Sequence, residues 1–138
     1  MIIDNVIDFL KTCPLLADRE INVDFLADEA SFFTIDTLPC EPVLKKYVGG
    51  GELCQAAFVL AGREFYTGDY VDNIANVTFY EQLTKWIEKN SRENSLPVLD
   101  DGRTAQSMEV ITSGYLFSEG QNRARYQLQI RLVYTQDI

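Results

Sequence analysis

Two segments of the chain repeat apolar residues at helical spacing. In the first segment the recurring residues are Ile3, Val6, Ile7 and Leu10. This spacing predicts a short amphipathic helix that Pro14 ends. In the second segment they are Val77, Phe79, Tyr80, Leu83, Trp86 and Ile87. This pattern predicts a longer helix from about Asp72 to about Asn90, which we expect Trp86 to anchor to a sheet.

Short segments between the two helices have the composition of β-strands. Residues 21–26 and 31–37 are rich in Ile, Val, Phe and Thr, and residues 27–30 between them predict the turn of a first hairpin. Pro39 and Pro42 cannot both donate to a ladder, so the segment around them is predicted to be a connector. The first third of the chain therefore contributes a helix and two strands.

A second hairpin is predicted around the triple glycine. Residues 43–48 and 52–62 are strand-like, and Gly49, Gly50 and Gly51 between them provide backbone freedom without side chains. We expect this hairpin to be long, with a flexible tip. No Gly-Lys-Ser or Gly-Lys-Thr follows the glycines, so a phosphate-binding loop is disfavoured.

The last third predicts a turn and a final hairpin. Asp100, Asp101 and Gly102 indicate the turn, residues 106–117 form the first strand, and Gly114 is a candidate bulge. The last strand alternates apolar Ala124, Tyr126, Leu128, Ile130, Leu132 and Tyr134 with Arg125, Gln127, Gln129, Arg131, Val133 and Thr135. This alternation predicts one dry face and one basic, amide-rich face.

The order of these elements predicts the fold class. A helix, four strand-like segments, a second helix and two strands are typical of an α+β protein with a mainly antiparallel sheet and both helices on one face. The chain has 138 residues, of which 46% are hydrophobic and 24% are charged. That length and composition favour a single globular domain over the whole chain.

The chain contains no histidine, which excludes most familiar enzyme designs. Ser-His-Asp and Cys-His relays, histidine zinc sites and a histidine general base are all impossible here. The acid pairs Asp28–Glu29 and Asp100–Asp101 each stand alone in a predicted turn without a spaced third ligand. We therefore expect no catalytic residues, no metal and no cofactor.

Three cysteines stand at long, unequal spacings. Cys13, Cys40 and Cys54 form no CxxC pair and leave one unpaired residue in any disulfide scheme. We expect reduced, mostly buried side chains. A reactive thiol is the alternative.

Charge is spread unevenly over an acidic chain. The formal net charge is −9, which opposes specific nucleic-acid binding and attraction to anionic membranes. Residues 1–44 hold nine acidic and two basic residues, whereas most of the basic residues follow residue 44. Contacts between the acidic part of one copy and the basic part of the next could close a ring. Solvated surface charge is the alternative for each single residue.

Two further observations bear on the location of the protein. No apolar run approaches the roughly 18 to 20 residues that span a bilayer. The first residues are acidic where a signal peptide would be basic. We expect a protein that stays in the cytoplasm after synthesis.

Four phrases resemble a family of small minor tail, or minor capsid, proteins from tailed phages and prophages of Gram-positive bacteria. They are residues 38–51 (LPCEPVLKKYVGGG), 79–83 (FYEQL) with Trp86, Ile87 and Glu88, 106–117 (QSMEVITSGYLF) and 124–131 (ARYQLQIR). The resemblance extends over about residues 5–135. By its size the group is similar to tail terminator and tail-completion proteins of long, non-contractile tails.

The resemblance implies a structural role. It implies a ring of six subunits that caps the finished tail tube, stops its polymerisation and offers a docking surface to the head. The partners would be other copies of the chain, the tail tube protein and a head-completion or connector protein, with DNA only passing through. The protein would then be found in the host cytoplasm during assembly and afterwards in the virion tail.

Candidate interface residues follow from the two predicted hairpin turns and the charge distribution. They are Asp28, Glu29, Lys45, Lys46, Gly49, Gly50, Gly51, Arg125 and Arg131. A monomeric adaptor module that binds one protein partner is the alternative function. An enzyme that uses tyrosine, cysteine or carboxylates is a third, and no pair of these residues stands at a spacing that implies shared work.

Overall fold

Two helices and a six-stranded sheet make up the part of the chain that the structure describes. This structure is a computed structural model, and it describes residues 2–16, 19–23, 33–65, 70–120 and 123–137. In chain order the elements are α1 (Ile2–Leu10), a 3-10 helix (Pro14–Leu16), β1 (Ile21–Val23), β2 (Phe33–Leu38), β3 (Val43–Lys46), β4 (Glu52–Phe65), α2 (Tyr70–Arg92), β5 (Arg103–Gly120) and β6 (Arg123–Gln136). The predicted α+β class and the predicted order of elements are confirmed.

The strands form one sheet around β4. Their order is β1-β2-β4-β6-β5, and β3 pairs with the beginning of β4. On its other side β4 pairs with β6 along its full length, from Glu52 opposite Gln136 to Phe65 opposite Arg123. All of these pairings are antiparallel except that of β1 with β2.

The first predicted hairpin is wrong, because β1 runs parallel to β2. Ile21 lies opposite Phe33, and Val23 lies opposite Ile35. A parallel pair requires a crossover connection instead of a tight turn. The apolar alternation of a strand specifies which residues face the core, and it is the same for either strand direction. The predicted turn at 27–30, with Asp28 and Glu29, lies outside the described residues.

Both helices pack on one face of the sheet. Buried residues from the helices and this face form one cluster, which includes Val6, Leu10, Phe33, Ile35, Phe58, Leu60, Tyr80, Leu83, Ile87, Leu128, Ile130 and Leu132. The alternating apolar residues of β6, from Ala124 to Tyr134, all belong to this cluster. The predicted dry face of the last strand and the placement of both helices on one face are therefore confirmed.

The first helix ends before Pro14, as predicted. Val6, Phe9 and Leu10 form its buried stripe, and Leu10 is its last helical residue. The Phe9 carbonyl accepts both the Thr12 N–H at 3.1 Å and the Thr12 hydroxyl at 2.6 Å, which closes the last turn of the helix. Pro14 then begins the 3-10 helix, where its missing N–H causes no loss.

The second helix is longer than predicted at both ends, by about two residues at each. Its end has the features of a Schellman cap: Asn94 has a positive φ of 58°, and the Ser95 N–H donates to the Asn90 carbonyl at 2.8 Å. The expected sheet anchor Trp86 is only half-buried, and it packs against Phe9 of α1 at 5.1 Å between ring centroids. Fully buried Tyr80 belongs to the core cluster instead.

The two later hairpins differ in length. The β5–β6 hairpin pairs from Arg103 opposite Gln136 to Gly120 opposite Arg123, and its register shifts between Thr112 and Tyr115, around the predicted bulge at Gly114. The hairpin at the triple glycine is confirmed, but it is not long, since β3 has only four residues. Beyond Cys54, β4 pairs with β2 instead, which limits the room for β3.

Candidate functional site

The triple glycine forms the tip of the β3–β4 hairpin. The Tyr47 N–H donates to the Gly51 carbonyl at 3.1 Å, and the Gly50 N–H donates to the Tyr47 carbonyl at 3.0 Å. Gly50 and Gly51 have φ values of 100° and 83°, in the left-handed region that favours glycine. The glycines thus allow a tight reversal that other residues would strain.

This hairpin exposes apolar as well as basic side chains. Lys45 and Lys46 are exposed, and the Lys45 ammonium lies 5.5 Å from the centre of the Tyr47 ring. Tyr47 and Leu44 are about half exposed, and Val48 is fully exposed. We call residues 44–51 the tip hairpin. The sequence indicated its lysines and glycines but not its exposed apolar side chains. The alternation along a strand does not show whether another part of the chain packs over its apolar residues.

The face of the sheet opposite the helices contains the amide-rich residues of β6. The register places Gln127 beside Ala61, Gln129 beside Val59, and Arg131 beside Ala57. These three small β4 residues are buried. We call this surface the polar face. Gln127 is buried with them, whereas Arg125, Gln129 and Arg131 are partly exposed and supply the polar groups of this surface.

Two ion pairs cross the polar face, and each includes a predicted interface arginine. Arg125 Nη2 lies 3.3 Å from Asp36 Oδ2, and Arg131 pairs with Glu109. Asp36 belongs to the acidic third of the sequence. Part of the charge complementarity expected between copies is therefore satisfied within one chain.

The predicted interface residues do not form one site. Lys46 lies opposite Glu52 at one end of β4, whereas Arg125 lies opposite Arg63 near the other end. At the usual rise of roughly 3.3 Å per residue, these two ends are about 36 Å apart. Arg131 lies between them, opposite Ala57. The tip hairpin and the polar face are thus separate surfaces. Asp28 and Glu29 lie outside the described residues.

A polar cluster lies against the core, with Glu64 buried and Arg19 partly exposed. The Arg19 guanidinium donates to Glu64 Oε1 at 2.8 Å and to Oε2 at 3.2 Å, and it also covers the Phe79 ring at 4.5 Å. Burial raises the pKa of Glu64, although the bonds and charge of Arg19 lower it. Burial also raises the pKa of Tyr80 well above its usual value, and the Glu64 carboxylate adds to this. Tyr80 stacks on Tyr126 at 5.4 Å between ring centroids. This cluster packs the core around a half-buried ion pair.

The cysteines divide into two buried residues and one exposed residue. Cys13 and Cys54 are buried as expected, and burial raises the pKa of both thiols. Cys40 is exposed, which corrects the expectation of burial for this residue. Its segment lies between Pro39 and Pro42, outside the strand ladders, so it does not enter the core.

A groove on the helix side of the molecule was not predicted from the sequence. It has a volume of about 470 Å³ and lies between α1 and the segment that follows α2. Its lining residues are Asn5, Asp8, Phe9, Thr12, Ser95, Leu96, Pro97 and Val98. The two sides of the groove are about ninety positions apart in the sequence, so no local pattern could have indicated it.

The described residues contain neither a metal-binding cluster nor a membrane-spanning helix. Among residues 2–16, 19–23, 33–65, 70–120 and 123–137, no three His, Cys, Asp or Glu side chains are placed to hold a metal ion. In the same part of the chain, neither helix combines the length and the apolar run needed to cross a membrane.

No protein-family model matches the chain, and no curated protein matches it in sequence.

Proposed function

We propose that this protein is a structural component of a phage tail, a tail terminator or tail-completion protein. In this role several copies, six by the resemblance, form a ring that caps the tail tube and provides the surface that joins the head. The tube protein and a head-completion or connector protein are then its other partners. It assembles in the host cytoplasm and remains in the virion tail.

The observation that carries this proposal is the separation of two different surfaces on one sheet. The tip hairpin presents exposed Val48 beside two lysines. The polar face lies farther along the sheet, on β4 and β6. A ring is built from heterologous contacts, in which one patch of each subunit meets a different patch of the next. Two unlike surfaces on a rigid sheet are the minimum for such contacts.

The charge of the chain supports passage of DNA through a ring. The formal net charge of −9 disfavours tight binding to a phosphate backbone, since that binding depends on neutralisation by Lys and Arg. DNA would then move along the lumen without being held.

The polar face offers a test that separates assembly from folding. Replacing Arg125 and Arg131 by glutamate would place like charges beside Asp36 and Glu109 and so would strain the fold itself. The exchange Arg131→Glu with Glu109→Arg keeps an ion pair within the chain but reverses the charge pattern of this surface. We expect wild type to form a ring by light scattering and the exchanged variant to assemble more weakly, with an unchanged unfolding midpoint.

One result would count against the proposal itself, and a second would count against the part that the polar face plays in it. Wild type that stays monomeric at every accessible concentration would contradict a ring-forming protein. Equal assembly of wild type and the exchanged variant would remove the polar face from the contact.

A monomeric adaptor remains the second candidate, and the exposed tip hairpin is the observation that favours it. Three apolar side chains on one short hairpin are a suitable contact for a single protein partner. A stable monomer that binds one partner through this hairpin would support the adaptor over the ring.

A further inference from the structure

The groove beside α1 combines apolar lining with negative charge. Phe9, Leu96, Pro97 and Val98 supply the apolar side chains, and Val98 is 86% exposed. Asp8 lines the groove and is exposed, and Asp4 stands exposed one helical turn earlier. An occupant that fits this surface carries an apolar side chain next to positive charge.

A hydrogen-bond acceptor in the groove lining also lacks a donor. The side chain of Asn5 lines the groove, and its Oδ1 is buried without a hydrogen-bond partner among the described residues. A buried acceptor of this kind is unfavourable unless a donor reaches it. An incoming N–H group would satisfy it only if the Asn5 side chain turned its oxygen toward the groove.

The tip hairpin has the chemistry that this groove requires. Val48 is fully exposed, Tyr47 is about half exposed, and Lys45 and Lys46 precede them. We propose that the tip hairpin of one copy occupies the groove beside α1 of the next copy, with Val48 against Val98 and the lysines facing Asp8. This proposal rests on the proposed self-assembly and adds to it a second contact, distinct from the polar face.

A second copy is the occupant best supported by the structure. Val48 is fully exposed in its own chain, so it does not fill its own groove. The lysines belong to the basic part of the chain and Asp8 belongs to the acidic part, so the contact uses the uneven charge distribution. Because the hairpin and the groove are different surfaces, repeated contacts of this kind close into a ring if the rotation permits.

The first test is a charge exchange across the contact. Lys45→Glu with Lys46→Glu, and separately Asp4→Lys with Asp8→Lys, place like charges at the contact. We expect each variant to need about tenfold or more higher concentration for half-assembly, measured by sedimentation velocity. All four changes combined in one chain restore opposite charges, so assembly should recover towards that of wild type. Equal assembly of all variants would overturn the contact.

The second test captures the contact covalently. In a Cys40→Ser background, Val48→Cys and Val98→Cys should form a disulfide between copies on mild oxidation, because the contact brings these positions within disulfide distance. The matched control replaces Val98→Cys by Lys85→Cys, at an exposed residue of α2 that does not line the groove. A ladder of linked chains is expected for the first pair and not for the control.

The outcomes separate this contact from the proposed function. Rings that form without cross-linking of the Val48/Val98 pair, and that survive Val48→Asp, would overturn the contact and leave the ring intact. A wild type that neither assembles nor cross-links would overturn both. A disulfide within a single chain would show that the groove belongs to the chain's own hairpin, against the proposal.

Discussion

Replacing Gly62 by alanine tests how tightly the core is packed between β4 and α2. A Cβ at this position would overlap the hydroxyl oxygen of Tyr80, and it would lie 2.7 and 2.9 Å from Cε1 and Cζ of Phe33. Both neighbours are fully buried, so neither has free space to move into. The substitution therefore adds a methyl group to a filled core.

The expected magnitude follows from these contacts. Overpacking of this kind destabilises proteins by about 1–3 kcal/mol. For a chain of 138 residues, an unfolding entropy of roughly 2.1 cal/mol/K per residue makes each kcal/mol worth about 3–4 °C. Gly62→Ala should thus lower the midpoint of thermal unfolding by about 3–10 °C. Gly49→Ala is the matched control, because a Cβ there would have no atom within 4 Å.

A second substitution tests the assigned cause. Tyr80→Phe removes the oxygen closest to the new methyl group, and that hydroxyl has no hydrogen-bond partner among the described residues. Gly62→Ala should then destabilise the Tyr80→Phe background by about 1 kcal/mol less than it destabilises wild type. Urea unfolding of the four proteins measures this difference. Equal losses in both backgrounds would refute the assigned overlap, and no loss in either would refute the tight packing.

Three further predictions concern the hairpin tip, the thiols and the buried ion pair. Gly51→Ala should destabilise the fold by about 1–2 kcal/mol relative to Gly49→Ala in urea unfolding, since φ at Gly51 is +83° and its Cβ would lie 3.3 Å from a backbone oxygen. In the native protein a thiol reagent should rapidly label one cysteine, Cys40; rapid labelling of two or three would contradict the burial of the others. Since burial raises the folded-state pKa of Glu64, the folded chain binds more protons there than the unfolded chain, and this residue's contribution to stability should fall as pH rises through its titration above 4.5. The free energy of unfolding of wild type, measured relative to that of Glu64→Gln, should fall between pH 4 and pH 7. A rise over this range would mean that Arg19 lowers the pKa of Glu64 by more than burial raises it.

The sequence predicted best those elements in which the spacing of apolar residues indicates which side chains are buried. The alternation in β6 identified both the buried row from Ala124 to Tyr134 and the polar row from Arg125 to Thr135. The spacing in α2 identified a helix because one side of it must be apolar to pack. In these cases a local pattern and the tertiary environment carry the same information.

Features that depend on distant partners could not be predicted in this way. The parallel direction of β1 depends on the path of the chain to β2, and the alternation of either strand is the same in both directions. Trp86 packs against Phe9, a residue 77 positions earlier, so its position in the helix did not specify its neighbour. For the same reason the intrachain partners of Arg125 and Arg131 could not be predicted before the register was known.

If copies of this chain close into a ring through unlike surfaces, the assembly has a fixed number of subunits. Native mass spectrometry of the wild type, at increasing protein concentration and low salt, measures that number. We expect one dominant closed species whose mass is an integer multiple of 15.7 kDa, six by the resemblance. A monomer at every concentration, or an open ladder of masses without a preferred size, would contradict it.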